Sequence, residues 1–271
     1  MRLPVPVPVL RRGLALLLLA AAAPPSPAAE AVETFTGIAR LADGSVYYVE
    51  RHRVEWRGER PVTSFTRYSD AAGQSFGEMD SRFPAPTPAP YTPAYRFEDR
   101  RLGRSDQLQI HGDRAETRAI AGDGSPEKSG NYALVPDLVS GQGLHFLLRA
   151  RLAAFVDDPG FELHARLLIP LDAAIYPLRV RRLALDDGRL TLRIDIDHWL
   201  YRLFAPHMDI AYDVRSRRLL WYEGPTHILD ALRAVRTVRI DYRYGSEAAA
   251  AGAIPDHHAA AGSTTSIAIG R

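Results

Sequence analysis

The 271-residue chain has no cysteine, and Lys128 is its only lysine among 34 basic residues. Without thiols it can build neither a disulfide framework nor a zinc site that needs thiolates. Apart from one stretch near the N-terminus, no apolar run approaches the roughly 20 residues that a membrane-spanning helix needs. The H-E-x-x-H zinc motif and the G-x-x-x-x-G-K-[ST] phosphate loop are also missing. What is present is ordinary globular material, with 46% hydrophobic and 24% charged residues. That is too apolar for a disordered chain.

The N-terminal exception has the form of an export signal. Arg11 and Arg12 precede an apolar run from Gly13 to Ala23, followed by small residues around Ser26 to Ala31. A positive start, an apolar centre of about 11 residues and a small-residue cleavage site make a signal peptide over residues 1–29, cut near 28–31. The expected location is therefore the periplasm, with no transmembrane segment in the mature chain. Loss of Arg2, Arg11 and Arg12 leaves 31 basic against 32 acidic residues. Nucleic-acid binding wants a surplus of positive charge gathered in a patch, so that class of partner is excluded. Arginine in place of lysine, beside abundant alanine, reads as coding bias rather than as phosphate recognition.

In the mature chain, strands dominate. Leu190, Leu192, Ile194 and Ile196 alternate with Arg189, Thr191, Arg193, Asp195 and Asp197, the period-two pattern of a strand with one dry and one wet face. Residues 161–169, 208–214 and 238–244 repeat the alternation. Asp186-Asp187-Gly188 is a hairpin turn, and short turns of this kind join antiparallel neighbours. The N-terminal half reads as a meander, with hairpins over 34–56 and 62–82 and further short strands between Tyr95 and Ala119. Five prolines from Pro84 to Pro93 mark a loop or an edge crossing. One helix stands out near 141–156, where Leu144, Leu147, Leu148, Leu152, Phe155 and Val156 recur at spacings of three and four. Asp137 or Ser140 would cap its start, and Trp199 to Ala205 could add one or two helical turns. The expected fold is mainly β: one domain over 30–245, a strongly curved antiparallel sheet or open barrel with one principal packed α-helix. Residues 246–271, rich in Ala, Gly, Ser and Thr, read as a disordered tail.

Candidate chemistry is sparse. Asp195 and Asp197 share a strand face, with His198, His207 and Asp209 nearby, so a hydrolase-like site is one alternative. Interleaved Arg193 and Thr191 make a solvated strand face the plainer reading. No metal or cofactor is expected. His257-His258 lies in the tail, and His52, His111, His145 and His164 are single and unpatterned. Ser140-Gly141-Gln142-Gly143 reads as a helix start rather than an anion cradle. The aromatics Trp199, Tyr201, Phe204 and Trp221, gathered near a strand break, are the candidate ligand-binding residues.

The stretch from about Leu138 to Tyr242 resembles a family of uncharacterised secreted proteobacterial proteins. The residues that carry it are LHFLLRARLAAF at 144–155, LLIP at 167–170, IDHWLYRLFAPHMDIAYD at 196–213, RRLLWYEGPTHILD at 217–230 and the closing VRIDYRY. Tyr48, His52, Trp56, Tyr68 and Gly73 look like the same family's opening. The family is tied to no reaction, so the resemblance implies no catalytic residue. More distantly, a helix on an exported antiparallel sheet is similar in architecture to the half-barrel of periplasmic lipoprotein carriers. The expected function is a periplasmic binding or carrier protein for a lipid or other apolar or amphipathic small molecule. A non-catalytic partner in envelope assembly is the remaining alternative.

Overall fold

The computed structural model describes residues 30–84, 87–198 and 207–245. The export segment, the 246–271 tail, and Trp199, Tyr201 and Phe204 lie outside the described residues. Eight strands run in a meander: β1 (Glu30–Arg40), β2 (Val46–Arg57), β3 (Arg60–Ser69), β4 (Ser75–Arg82), β5 (Ala94–Asp99), β6 (Arg104–His111), β7 (Arg114–Ile120) and β8 (Lys128–Ala133). A short β9 (Leu138–Ser140) leads into the helix α1 (Gly143–Asp157). Then come β10 (Glu162–Ile169), a 3-10 turn (Pro170–Asp172), β11 (Ala174–Asp186), β12 (Arg189–Ile196), β13 (Met208–Asp213), β14 (Leu219–Pro225) and β15 (Thr237–Tyr244).

All fifteen strands form one sheet, in the order β8-β7-β6-β5-β4-β3-β2-β1-β15-β14-β13-β12-β11-β10-β9. The pairing of β1 with β15 joins the two halves of the chain. The sheet does not close into a barrel: β8 and β9 are its two edges, and the 3-10 turn lies against β6, β7 and β8. Every pairing is antiparallel except that of β9 with β10. The turns follow their sequences. Asp187 and Gly188 both take positive φ, at 48° and 76°, which is the requirement of a two-residue hairpin whose twist matches its strands.

The helix fills the concave side. Leu148, Leu152 and Phe155 pack with Leu178, Val180, Leu190 and Leu192 of the second half, while Phe146 meets Trp56 and Phe83 of the first. Each such buried side chain contributes roughly 1.5–3 kcal/mol relative to exposure. Arg182 of β11 donates to the carbonyls of Phe155 and Val156 at 3.1 and 3.2 Å, satisfying the helix C-terminus. The helix start differs from expectation. Neither Asp137 nor Ser140 caps it: Asp137 pairs with Arg166, and Ser140 donates to the Leu168 carbonyl from within β9. The N-cap position is Gln142, which makes no cap bond because its side chain reaches across to the sheet. Gly143 is required here, since a Cβ would stand 1.7 Å from the Tyr91 carbonyl oxygen of the proline-rich crossing.

Candidate functional site

Between α1 and the inner face of the sheet lies a cavity of about 680 Å³. Binding sites for small molecules fall in the range of about 300–1,000 Å³. One wall is aliphatic, built from Leu144 and Leu148 of α1 with Leu178, Ile194, Ile210 and Leu219 of the second-half strands. Ile196 and Met208, which flank residues 199–206 in the chain, also line it. The loop from Thr226 to Arg236 closes one end. Its Arg233 donates to the carbonyls of Leu102, Ala121 and Gly122, and Arg101 donates to that of Leu229. A second hollow of about 500 Å³ opens beside Trp56; of its three arginines Arg149 pairs with Glu33 and Arg217 with Glu59, and Arg218 lies 4.8 Å from the Tyr244 ring. The inner cavity is the candidate site.

The opposite wall is polar and comes from β2. Along this strand Tyr48, Glu50, His52, Val54 and Trp56 all point inward and are buried. Glu50 Oε1 accepts the Tyr242 hydroxyl at 2.7 Å and lies 3.1 Å from His52 Nε2. His52 Nδ1 meets the Thr66 hydroxyl at 2.9 Å and the Gln142 amide at 3.2 Å. Gln142 also bonds Thr66 and Ser64. The Thr66 and Gln142 contacts fall on Nδ1, and Nε2 faces Glu50. The helix N-terminus is thereby tied to β2 and β3. Burial alone would push the Glu50 carboxyl up; the charge and hydrogen bond of His52, the Tyr242 hydroxyl and His227 outweigh it and hold the group below its ordinary value. Gly37 makes the Tyr242 contact possible, because a Cβ there would stand 2.8 Å from both Glu50 Cγ and Tyr242 Cε1.

Beside this network stands His227. Its ring packs edge-on against the interior rings of Tyr68 and Phe97, yet a large part of its surface is accessible. Both facts hold because the accessible side faces the cavity, which it helps to line. Burial, then the Arg104 charge, lowers its pKa to about 4, so the imidazole is neutral near pH 7. Arg104 donates to the His227 carbonyl at 2.5 Å and to Asp106 at 2.6 Å. Burial raises the Asp106 carboxyl above its ordinary value although Arg104 draws it down. His145 of α1 stacks on Tyr212 and meets its hydroxyl at 2.9 Å; burial lowers its pKa to about 3.

Of the residues singled out from sequence, Trp221, Asp195, Asp197 and Asp209 lie off the cavity, while Trp199, Tyr201 and Phe204 are outside the described residues. Trp221 is on the outer face of β14 under Arg239, whose guanidinium lies 4.1 Å from its ring; its neighbour Tyr222 is the one that lines the cavity. Asp195 lies 3.6 Å from Arg181 and Asp197 lies 2.8 Å from His164 Nδ1, and neither lines the cavity. Asp209 accepts from Nε and Nη2 of Arg193 at 2.8 and 2.7 Å. Among the described residues no group of three or more His, Asp or Glu side chains is arranged to hold a metal. Gly73-Gln74-Ser75-Phe76-Gly77 has the spacing of a nucleophile elbow but occupies the β3–β4 hairpin, not a strand-to-helix turn. Sequence reasoning missed Glu50, Gln142 and His227, and chose Trp221 over its neighbour Tyr222. For Glu50 the signal was available: it sits between Tyr48, His52 and Trp56 at alternate positions of one strand.

No protein-family model matches the chain, and no curated protein does. One solved structure to which it is similar is a β-barrel-like protein of domain of unknown function DUF1849 from Brucella abortus. The two share 9% identity with a TM-score of 0.36, over 79% of this chain and 94% of that one. At that TM-score the likeness carries no argument about this protein.

Proposed function

We propose that the protein is an exported binding or carrier protein that holds an amphipathic small molecule between α1 and the sheet. The observation that carries this reading is the inner cavity of about 680 Å³, aliphatic on one wall and polar on the other. A guest with both characters would gain apolar contact along one wall and polar partners along the other. The segment over residues 1–29, with its charged start and apolar centre, supports export to the periplasm.

Native mass spectrometry of protein purified from its own envelope tests it. The expected result is a mass increment of a few hundred daltons that organic extraction removes. A clean apo mass, together with failure of the neutral dye N-phenyl-1-naphthylamine to gain fluorescence in the extracted protein, would overturn it.

A further inference from the structure

The charged side chains around the cavity point to the kind of molecule it takes, granted the carrier reading above. Among the described residues the lining holds one arginine, Arg104, against three carboxylates, Glu50, Asp106 and Asp172. Nη1 and Nη2 of Arg104 are engaged by the His227 carbonyl and by Asp106, whose carboxylate is its ion-pair partner, while Nε has no hydrogen-bond partner among the described residues. An anionic head group would therefore enter without a free counter-charge, at the cost of burying unpaired charge beside like charge. Fatty acids and phosphate esters are disfavoured on that ground.

Glu50 is the opposite case. Both of its contacts, Tyr242 and His52, fall on Oε1, and no hydrogen bond among the described residues reaches Oε2. The carboxylate is also ringed by phenols. Tyr48 is two residues before it on the same face of β2, Tyr68 is its direct partner on β3, and Tyr242 reaches it over Gly37. Tyr222 completes the set on the cavity wall, and the charge of Glu50 is felt by all four rings. An acidic group among aromatic faces is the arrangement that attracts organic cations, which gain from ring faces within about 6 Å of their centroids.

We propose that the ligand is an amphipathic cation, with an apolar body along the leucine and isoleucine wall and an amine or quaternary ammonium head beside Glu50, against the partly exposed rings of Tyr222 and Tyr242. His227 offers its neutral ring as a further acceptor at the same pole.

The test uses the lipid-extracted protein and three ligands with one twelve-carbon chain and different heads: dodecyltrimethylammonium, dodecanol and dodecanoate. Isothermal titration calorimetry at pH 7, below the micellar range, should show the cation binding about tenfold or more tighter than dodecanol, with dodecanoate weakest; a tenfold change corresponds to about 1.4 kcal/mol. Glu50→Gln should erase most of the cation's advantage over dodecanol. Should that variant fail to fold, Tyr222→Leu serves, weakening the cation while dodecanol stays within about twofold. Dodecanoate binding as tightly as the cation, or a cation advantage that survives Glu50→Gln, overturns the head-group inference. In either case dodecanol binding keeps the carrier reading, whereas binding by none of the three ends both.

Discussion

Tyr242 and Glu50 meet at 2.7 Å across a glycine, the hydroxyl of β15 donating to the carboxylate of β2 over Gly37 of the strand between them. The contact joins the last strand of the chain to the second and fixes the orientation of the one ionised group at the centre of the cavity's polar wall. Tyr242→Phe keeps the ring and removes the donor. A buried hydrogen bond to a charged group contributes about 1.5–3 kcal/mol, so the variant should lose stability on that scale in urea denaturation. An unchanged midpoint would mean that the bond is not formed in solution.

Gly37→Ala probes the same contact from the backbone side. Its Cβ would overlap Glu50 and Tyr242, both ends of flexible side chains, so the expected cost is moderate, about 1–3 kcal/mol. Combined with Tyr242→Phe, the two losses should fall well short of additive, because both remove one interaction.

Gly143→Ala tests the helix entry. In an ordinary helix the exchange would stabilise by about 0.5–1 kcal/mol. Here the added methyl meets a backbone carbonyl at 1.7 Å, which cannot swing away as a side chain can. The sign should therefore invert, to a loss of about 2 kcal/mol or more. Thermal melting of the variant decides it.

Acid should weaken the fold through its buried histidines. His145 has its folded pKa lowered to about 3, below its unfolded value near 6.5, so the unfolded chain takes up the proton first. The stability tied to the neutral ring is complete above pH 6.5 and is lost as the pH falls toward the folded pKa. By pH 4.5 the loss from this residue should be roughly 2–3 kcal/mol. His145→Gln should flatten the denaturation midpoint against pH between 6.5 and 4.5, and an unaltered slope would refute the assignment.

Asp195→Asn with Asp197→Asn should do little. Both carboxylates lie outside the cavity with cationic or histidine neighbours, Asp195 near Arg181 and Asp197 against His164, where substitutions usually stay within about 0.5 kcal/mol. Ligand affinity measured by calorimetry should be unchanged as well. A large fall would return attention to that face.

Strands with a clean alternation of apolar and polar residues could be read directly from sequence, as in β12, β13 and β15, and so could the leucine-rich helix. β8 could not: Lys-Ser-Gly-Asn-Tyr-Ala has no apolar period, and it pairs only because β7 is adjacent. β9 is three residues long and pairs in parallel with a strand that comes after the helix, which no local pattern encodes. The site was harder still. β2 carries polar residues on both faces, and what turns Glu50 and His52 inward is pairing with Gly37 and Tyr68 from other strands. Trp221 and Tyr222 were equally attractive as aromatics, but successive residues of a strand face opposite ways, and only the register to β13 and β15 says which one is inside.

The unpaired seam between β8 and β9 gives the molecule a weak meridian. In a continuous ring the circumference can widen only by unzipping a ladder, whereas an interrupted ring can gape along its slit and relax with every ladder intact. Amide exchange should be fastest along that slit, at the edge amides of Lys128–Ala133. Widening there would shift the Pro170–Asp172 turn against β6, β7 and β8 and leave the rest of the shell unmelted.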